Sequence, residues 1–240
     1  MAQHLSRAST PKNWPIKRKE TKWITRVNPG THPLERALNL NILLKDYLKY
    51  ASTSREVRNI LNQGIILVDK KVRKDPKFSI GVMDTIEITK TKEYFRLILD
   101  ERGNFSLVRI PQSESSLKPC KIINKKILPG KITQINLFDG RNMLSEDKSL
   151  KVNDTIILNL ESNKIQEHLK FDKNAIIYLI SGKKAGHSGK LKEIYSESLS
   201  KPRILLDSGK EKIETLKEYA FVINKEFLNH ETHNETDKSR

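Results

Sequence analysis

The apolar residues of this chain are spread over many short runs that are separated by turn-forming residues. Runs rich in β-branched residues recur between residues 65 and 223, with Gly, Asn, Asp or Lys at the breaks. The 240 residues, 36% of them hydrophobic, can fill several small cores but not one large core. The sequence therefore predicts a multidomain α+β protein that is mostly β and contains small β-barrel domains.

Helical signals are concentrated between residues 39 and 64. After Asn39, which is a good N-cap residue, leucines recur at helical spacing. The segment Thr53-Ser54-Arg55-Glu56 has the pattern of a capping box, and Gly64 favours the left-handed conformation that ends many helices. Two helices are thus predicted, followed by a hairpin at Asp69-Lys70 and a strand at residues 85–88.

The N-terminal segment, residues 1–38, is strongly basic and contains both tryptophans of the chain. Its apolar surface is too small for a core of its own, so we expect it to become ordered on RNA. Phosphates would neutralise its cations, and bases would cover its indoles; for each indole, packing inside the protein is the open alternative. The predicted RNA contacts in this segment are Arg7, Lys12, Trp14, Lys17, Arg18, Lys19, Lys22, Trp23 and Arg26.

The overall charge narrows the class of partner. The net charge is +16, which suits nucleic acid, an anionic membrane or an acidic protein. No apolar stretch approaches the ~20 residues that span a bilayer, so no membrane partner is expected. Cys120 is the only cysteine, and the six histidines show no ligand spacing, so no disulfide, metal or cofactor is predicted. No Ser-His-Asp or Cys-His grouping indicates a catalytic site.

Residues 43–88 resemble the alpha-L RNA-binding module of ribosomal proteins, pseudouridine synthases and a tRNA synthetase. The resemblance is carried by Ser54-Arg55, Gly64, Leu67-Val68-Asp69, and Gly81 ahead of Asp84. It implies an RNA-facing edge formed by the second helix and the hairpin, although any helix can carry a solvated basic face. Lys70 stands where the family usually has Gly, at a position where a side chain costs about 1 kcal/mol if φ is positive. The RNA contacts implied are Arg55, Arg58, Lys70, Lys71 and Arg73.

Residues 176–191 resemble the KOW motif, which opens small SH3-like barrels. Alternating apolar residues lead into a loop with Gly182, Gly186 and Gly189. An ordinary glycine hairpin is the alternative, whereas a P-loop is excluded because Ser or Thr does not follow Gly189-Lys190. The resemblance implies RNA contacts from Lys183, Lys184 and His187.

The segment Phe138-Asp139-Gly140-Arg141-Asn142 reads as a turn with one cation, and Arg141 is predicted to contact RNA. Asp139 invites comparison with the catalytic Asp of pseudouridine synthases. Its surroundings lack the Arg-Leu-Asp context of those enzymes, and the chain has no room for their large catalytic domain. No catalytic role is therefore predicted.

The order of these motifs resembles the small-subunit ribosomal protein family S4e of archaea and eukaryotes, from about His4 to Val222. Family glycines are replaced by Lys70, Asn153, Asn174 and Lys183, and Asn tolerates positive φ. The predicted domains are the basic extension 1–38, the alpha-L module 39–90, a central β-domain 91–170, a KOW/SH3-like barrel 171–224 and a disordered polar tail 225–240.

The resemblance implies a non-catalytic structural constituent of the small ribosomal subunit in the cytoplasm. Its partners would be small-subunit ribosomal RNA and neighbouring ribosomal proteins, and it would not be a homo-oligomer. The alternatives are an RNA-modifying enzyme, which the alpha-L module suggests, and a free translation or transcription factor, which the KOW-like loop suggests.

Overall fold

A computed structural model describes residues 4–145, 147, 149–195, 201–209 and 211–227. These residues form two compact units: residues 4–98 with 104–116, and residues 99–103 with 117–227. Of the predicted disordered tail 225–240, only Lys225–Phe227 are described, and they form a short 3₁₀ helix. The rest of that prediction lies outside the described residues.

The first unit combines two helical segments with three small sheets. Its sheets have the strand orders β1-β2, β3-β6 and β5-β4-β7-β8-β9. Its elements are β1 (Leu5–Ser6), β2 (Trp23–Ile24), β3 (Ala37–Asn39), α1 (Leu40–Ile42, continued as a π-helical turn at Leu43–Tyr47), α2 (Ser54–Asn62), β4 (Ile66–Val68), β5 (Lys71–Val72), β6 (Ser79–Gly81), β7 (Thr85–Ile88), β8 (Glu93–Leu99) and β9 (Phe105–Arg109).

Both predicted helix starts are confirmed. The Asn39 side chain accepts a hydrogen bond from the Ile42 N–H at 2.7 Å. In the capping box, the Thr53 hydroxyl accepts from the Glu56 N–H at 3.3 Å, and the Glu56 carboxylate accepts from the Ser52 N–H at 2.7 Å. These bonds satisfy amide groups that the helices themselves leave unpaired.

The hairpin between β4 and β5 has positive φ at Asp69 (52°) and Lys70 (61°). The turn thus keeps the conformation that favours Gly, and Lys70 adopts it despite its side chain. Two contacts hold the turn: Asp69 accepts from the Thr85 N–H at 3.1 Å, and the Lys70 ammonium lies 3.0 Å from the Glu87 carboxylate.

Two strands extend the sheet of this unit beyond the predicted alpha-L module 39–90. In β8, Phe95 lies opposite Ile86 of β7, and β9 follows at the sheet edge. Phe95 and Leu107 are buried. Residues 93–98 and 105–109 therefore lie in the first unit, whereas the sequence assigned them to the central domain 91–170; the local pattern marks strands but not their pairing partners.

The N-terminal extension packs onto the first unit, contrary to the expectation that it becomes ordered only on RNA. Trp14 is 3% exposed, and its indole N–H donates to the Ala37 carbonyl at 2.8 Å. Leu5 and Val27 are also buried. Hydrogen bonds to residues beyond 38 attach the extension to the rest of the unit: the Phe105 N–H donates to the Asn13 carbonyl at 2.9 Å, and the Asn28 N–H donates to the Lys77 carbonyl at 2.9 Å.

The second unit consists of two five-stranded antiparallel sheets with the orders β12-β11-β10-β13-β14 and β18-β17-β16-β15-β19. Each sheet covers a separate cluster of buried aliphatic side chains. The strands are β10 (Leu117–Ile127), β11 (Thr133–Leu137), β12 (Asn142–Ser145), β13 (Thr155–Asn159), β14 (Lys164–Leu169), β15 (Ile176–Leu179), β16 (Ser188–Tyr195), β17 (Arg203–Asp207), β18 (Lys212–Leu216) and β19 (Ala220–Val222).

A buried lysine connects the two sheets of this unit through hydrogen bonds. The Lys121 ammonium, on β10, donates to the carbonyls of Glu218 at 2.8 Å and Ala220 at 2.7 Å. Asn153 and Asn174, which stand at family glycine positions, have φ of 75° and 70°. Asn thus keeps the left-handed turns that the resemblance implied at these two positions.

Candidate nucleic-acid interface

A pocket of about 300 Å³ lies between the N-terminal extension and the start of α2. It brings together an indole, an imidazole and several cations, which are the groups that stack on bases and bind phosphates. We call it the arm pocket. Its lining residues are His4, Leu5, Trp23, Ile24, Thr25, Arg26, Asn41, Ser54, Arg58, Pro76 and Lys77.

The β1–β2 pair forms one wall of the arm pocket and places Trp23 opposite Ser6. Arg7 closes the loop between these strands. Its guanidinium donates to the Lys17 carbonyl at 2.6 Å and to the Glu20 carboxylate at 3.3 Å, and its backbone N–H donates to the Lys22 carbonyl at 3.0 Å. The wall is thus held by the protein itself.

Two asparagines fix the floor of the arm pocket. The Asn39 amide donates to the Thr25 carbonyl at 2.8 Å, and the Asn41 amide donates to the Thr25 hydroxyl at 2.7 Å. The backbone N–H of Asn28 donates to the Lys77 carbonyl at 2.9 Å. These bonds anchor the segment after β2 to α1 and to the loop before β6.

Trp23 is 54% exposed and lies beside other groups that suit a polyanion. The Lys22 ammonium lies over the indole, 5.2 Å from the ring centroid. The His4 ring centroid is 5.6 Å from that of Trp23. A planar aromatic surface is thus presented next to positive charge, as in sites that bind single-stranded nucleic acid.

Helix α2 forms the opposite wall with Ser54 and Arg58, which are one turn apart. The helix buries Val57 and Leu61 on its other face, so Arg58 projects outward. Arg55 is exposed but does not line the pocket. Within residues 4–145, no acidic side chain forms an ion pair with Arg55 or Arg58.

The remaining predicted contacts of the first unit vary in accessibility. Lys71 is exposed, Lys70 is partly buried in its pair with Glu87, and Arg73 stacks on the Phe78 ring at 4.2 Å. The exposed Arg18 guanidinium donates to backbone carbonyls, including that of Ala8 at 3.2 Å. The other exposed cations of the extension are Lys12, Lys17, Lys19 and Lys22, and Arg26 is partly buried at the edge of the arm pocket.

The structure corrects the prediction for two residues of the extension. Trp14 is enclosed by protein, so the packing alternative holds for this indole and the stacking alternative does not. Arg7 is 4% exposed and donates to Lys17 and Glu20. Neither side chain is accessible to RNA in this fold, because burying the few apolar and amphipathic groups of the extension is what attaches it to the module.

In the second unit, the loop after β11 is built around a buried carboxylate. Asp139 is 4% exposed and lies 3.1 Å from both the Lys118 ammonium and the Arg141 Nε. The Arg141 backbone N–H also donates to Asp139. The Arg141 guanidinium is thus partly engaged by Asp139, and the side chain remains partly exposed.

The KOW-like loop lies against the turn at residues 99–103. A Cβ placed on Gly186 would lie 1.7 Å from the Asp100 carbonyl oxygen, so only glycine fits there. Lys183 is exposed and His187 is partly buried. Lys184 lies 2.8 Å from the Glu211 carboxylate, and this hydrogen bond lowers the pKa of Glu211.

Metal-binding clusters and membrane-spanning helices were the two remaining features to consider in the described part of the chain. Its His, Cys, Asp and Glu side chains form no group of three that could hold a metal ion. None of its helices has the length and apolar character needed to cross a membrane.

Several residues of the arm pocket were not predicted from the sequence: His4, Asn41, Ser54 and Lys77. Lys77 could have been found, because it ends a basic stretch that begins at Lys70. His4 could not, because its position depends on the β1–β2 pair, and strands of two residues have no detectable periodicity.

Three family models match separate parts of the chain. A model described as the RS4NT (NUC023) domain matches residues 1–35, the S4 domain matches residues 40–86, and the Ribosomal family S4e matches residues 91–165. Together they follow the order of the extension, the helical module and the first β-region of the structure.

Curated relatives match almost the whole chain. The small ribosomal subunit protein eS4 of Methanothermobacter thermautotrophicus is 40% identical over 226 residues, covering 93% of each chain. The eS4 protein of Methanocella arvoryzae is 38% identical over 224 residues, covering 93% of this chain and 94% of the relative. The crystal structure of the 30S ribosomal protein S4e from Thermoplasma acidophilum matches with a TM-score of 0.69 at 30% identity, covering 79% of this chain and 95% of that one.

Proposed function

The chain belongs to the S4e family of ribosomal proteins and has the structural role of a small-subunit constituent, and we propose that it fills this role by binding ribosomal RNA through the arm pocket and the cations around it. The observation that carries the proposal is the placement of exposed Trp23 and Arg58 in one pocket. The extension and the S4 domain would thus act as one RNA-binding surface.

Binding on this surface would be mainly electrostatic. The exposed cations of the extension, together with Arg55, Arg58 and Lys71, would contact phosphates, and each contact would release counterions. Partly exposed Lys70 and Arg73 would add to the edge of the hairpin. Such contacts recognise RNA shape and backbone more than sequence.

The second unit would contribute further contacts. We propose that residues 171–224 act as a KOW/SH3-like domain with Lys183, Lys184 and His187 toward RNA, and that Arg141 also contacts RNA. Ile127 and Leu144, both exposed on the first sheet of this unit, would contact neighbouring ribosomal proteins. The chain would act in the cytoplasm as a single copy per subunit, without cofactor or membrane.

A structural role is favoured over catalysis by the burial of Asp139. A catalytic carboxylate must reach its substrate, whereas Asp139 is enclosed and bound by Lys118 and Arg141. A free translation or transcription factor is the remaining alternative. Such a factor would bind to and leave its complex reversibly, whereas a structural constituent would stay bound.

Sedimentation of a native lysate tests the proposal. A structural constituent should sediment with the small subunit and stay there through a moderate salt wash. A free factor should be released into the supernatant at physiological salt. Absence of the chain from the small-subunit fraction would exclude the proposed function.

A further inference from the structure

We propose that the arm pocket binds one unpaired nucleotide of the RNA, with the base on Trp23 and the adjoining phosphates on the cations of the pocket. This inference rests on the proposed function and specifies its ligand: a bulged, looped or single-stranded nucleotide rather than an uninterrupted duplex. It concerns only residues of the first unit, from His4 to Lys77.

Trp23 supplies the stacking surface. Its indole is largely exposed and is not part of the core of the first unit, whereas Trp14 is buried. Pairing of Trp23 with Ser6 fixes its backbone at the pocket wall, and the Lys22 ammonium and the His4 ring lie beside the indole, so the ring is partly positioned before a ligand binds. Stacking of a base on such a ring strengthens binding by roughly tenfold.

Asn41 provides an independent indication of a ligand. It lines the pocket, is 5% exposed, and uses its amide group to donate to Thr25. Its Oδ1 is buried and has no hydrogen-bond partner in the part of the chain that the structure describes. A buried acceptor without a donor is unfavourable, and rotation of the Asn41 amide toward a nucleotide in the pocket would bring Oδ1 within reach of a base amino group or a ribose 2′-hydroxyl.

The cations of the pocket suit the phosphates on either side of such a nucleotide. The side chains of Arg58 and Lys77 form no ion pair with an acidic residue within residues 4–145, and Arg26 lies at the same edge. Lys22 adds a charge over the indole itself. The pocket thus combines a stacking surface, an acceptor and positive charge, which together fit one nucleotide.

An unpaired nucleotide fits these groups better than a paired one. In a duplex, each base is already stacked on both faces and its amino groups are engaged, so only phosphates would reach the pocket. An acidic peptide would also pair with the cations, but it would offer nothing planar to Trp23. The indole therefore distinguishes the two partners.

Binding of an oligoadenylate tests the inference against two matched ligands. The first is an abasic oligoribose phosphate of equal length, which keeps the phosphates and lacks the bases. The second is polyglutamate, which represents an acidic peptide. The readouts are the dissociation constant and the fluorescence of Trp23, taken as the difference between the wild type and Trp23→Phe. Total small-subunit ribosomal RNA is titrated in parallel.

We expect the wild type to bind oligoadenylate about tenfold more tightly than the abasic chain, with quenching of Trp23. Trp23→Ala should abolish the preference, and Trp23→Phe should keep part of it. Tyr195→Ala, which removes an aromatic ring of similar exposure (44%) from the second unit, should change nothing.

Two results would overturn the inference while leaving the proposed function intact: equal affinity for the two oligomers with unchanged Trp23 fluorescence, or displacement of oligoadenylate by polyglutamate at equal charge concentration. In both cases the ribosomal RNA would still bind. Failure of the full-length chain to bind ribosomal RNA at all would overturn both the inference and the RNA-binding function on which it rests.

Discussion

The two tryptophans have opposite environments and should have opposite mutational effects. Trp14→Ala removes a buried indole and leaves the Ala37 carbonyl without its donor, so we expect a loss of about 3–5 kcal/mol in the free energy of unfolding. Trp23→Ala should change it by less than about 0.5 kcal/mol, since Trp23 is largely exposed. Urea denaturation followed by circular dichroism measures both. Equal losses would show that the described packing of the extension is incorrect.

The buried Lys118–Asp139 pair gives a second test at the level of single residues. Lys118→Met would remove the Lys118 ammonium from the buried Asp139 carboxylate and leave its contact with Arg141 in place, at a cost of about 3 kcal/mol. Lys126→Met is the matched control, because Lys126 lies on the same strand, β10, and is exposed. Denaturation midpoints that shift equally for the two variants would contradict the buried pair.

The sequence predicted which residues of the extension could bind RNA by their chemistry, but not which of their side chains are buried. The basic residues of the extension were evident from the sequence, and most of them are exposed. The local charge did not distinguish Trp14 from Trp23, because each lies among basic residues. Their difference arises from the tertiary contact of Trp14 with Ala37, which is 23 positions away in the chain.

At the level of elements, the capping box of α2 predicts a pH dependence. Its hydrogen bonds to Ser52 and Thr53 lower the pKa of Glu56 below its ordinary value. A carboxyl with a lowered folded pKa stabilises the fold above its unfolded pKa, and this contribution is lost as the pH falls through the folded value. Thermal unfolding at neutral and acidic pH should therefore show Glu56→Gln less stable than wild type at neutral pH only. A difference that persists in acid would contradict the cap.

The glycine loop of the second unit offers a matched comparison of two left-handed glycines. Gly186 and Gly130 have φ of 87° and 84°, so alanine costs about 1 kcal/mol of backbone strain at either site. Only at Gly186 would the new Cβ collide with the Asp100 carbonyl, whereas at Gly130 no atom lies within 4 Å. Gly186→Ala should therefore lose about 1–3 kcal/mol more free energy of unfolding than Gly130→Ala.

Equal losses for the two alanine variants, measured by denaturation, would show that the loop does not pack against the turn at residues 99–103. Because the collision involves backbone, rotation of a side chain cannot relieve it.

Strands with clear alternation were predicted well, and very short strands were not. The runs that became β13, β16 and β17 are visible from their Ile and Leu residues. In contrast, β1, β2 and β3 have two or three residues each and exist because the extension folds back onto the module. The arm pocket depends on these short strands, so the sequence predicted several of its residues but not their assembly.

For the molecule as a whole, the charge of +16 explains why RNA binding should depend strongly on salt. It does not by itself say which cations contact phosphate. The arm pocket is lined by three of the many cations of the chain, Arg26, Arg58 and Lys77, and we expect these three to contact phosphate. Their effect can be separated from that of net charge by neutralising three lysines of the second unit instead: Lys164, Lys170 and Lys173, which are all exposed.

The most direct test of the account is the slope of log affinity against log salt concentration for small-subunit ribosomal RNA. If the arm pocket contacts the RNA backbone, replacing Arg26, Arg58 and Lys77 by Gln should reduce the slope by roughly 2–3, since each phosphate contact contributes about 0.9. The triple replacement of Lys164, Lys170 and Lys173 by Gln should leave the slope unchanged. Identical slopes for the two variants would contradict the assignment of this surface as the RNA interface.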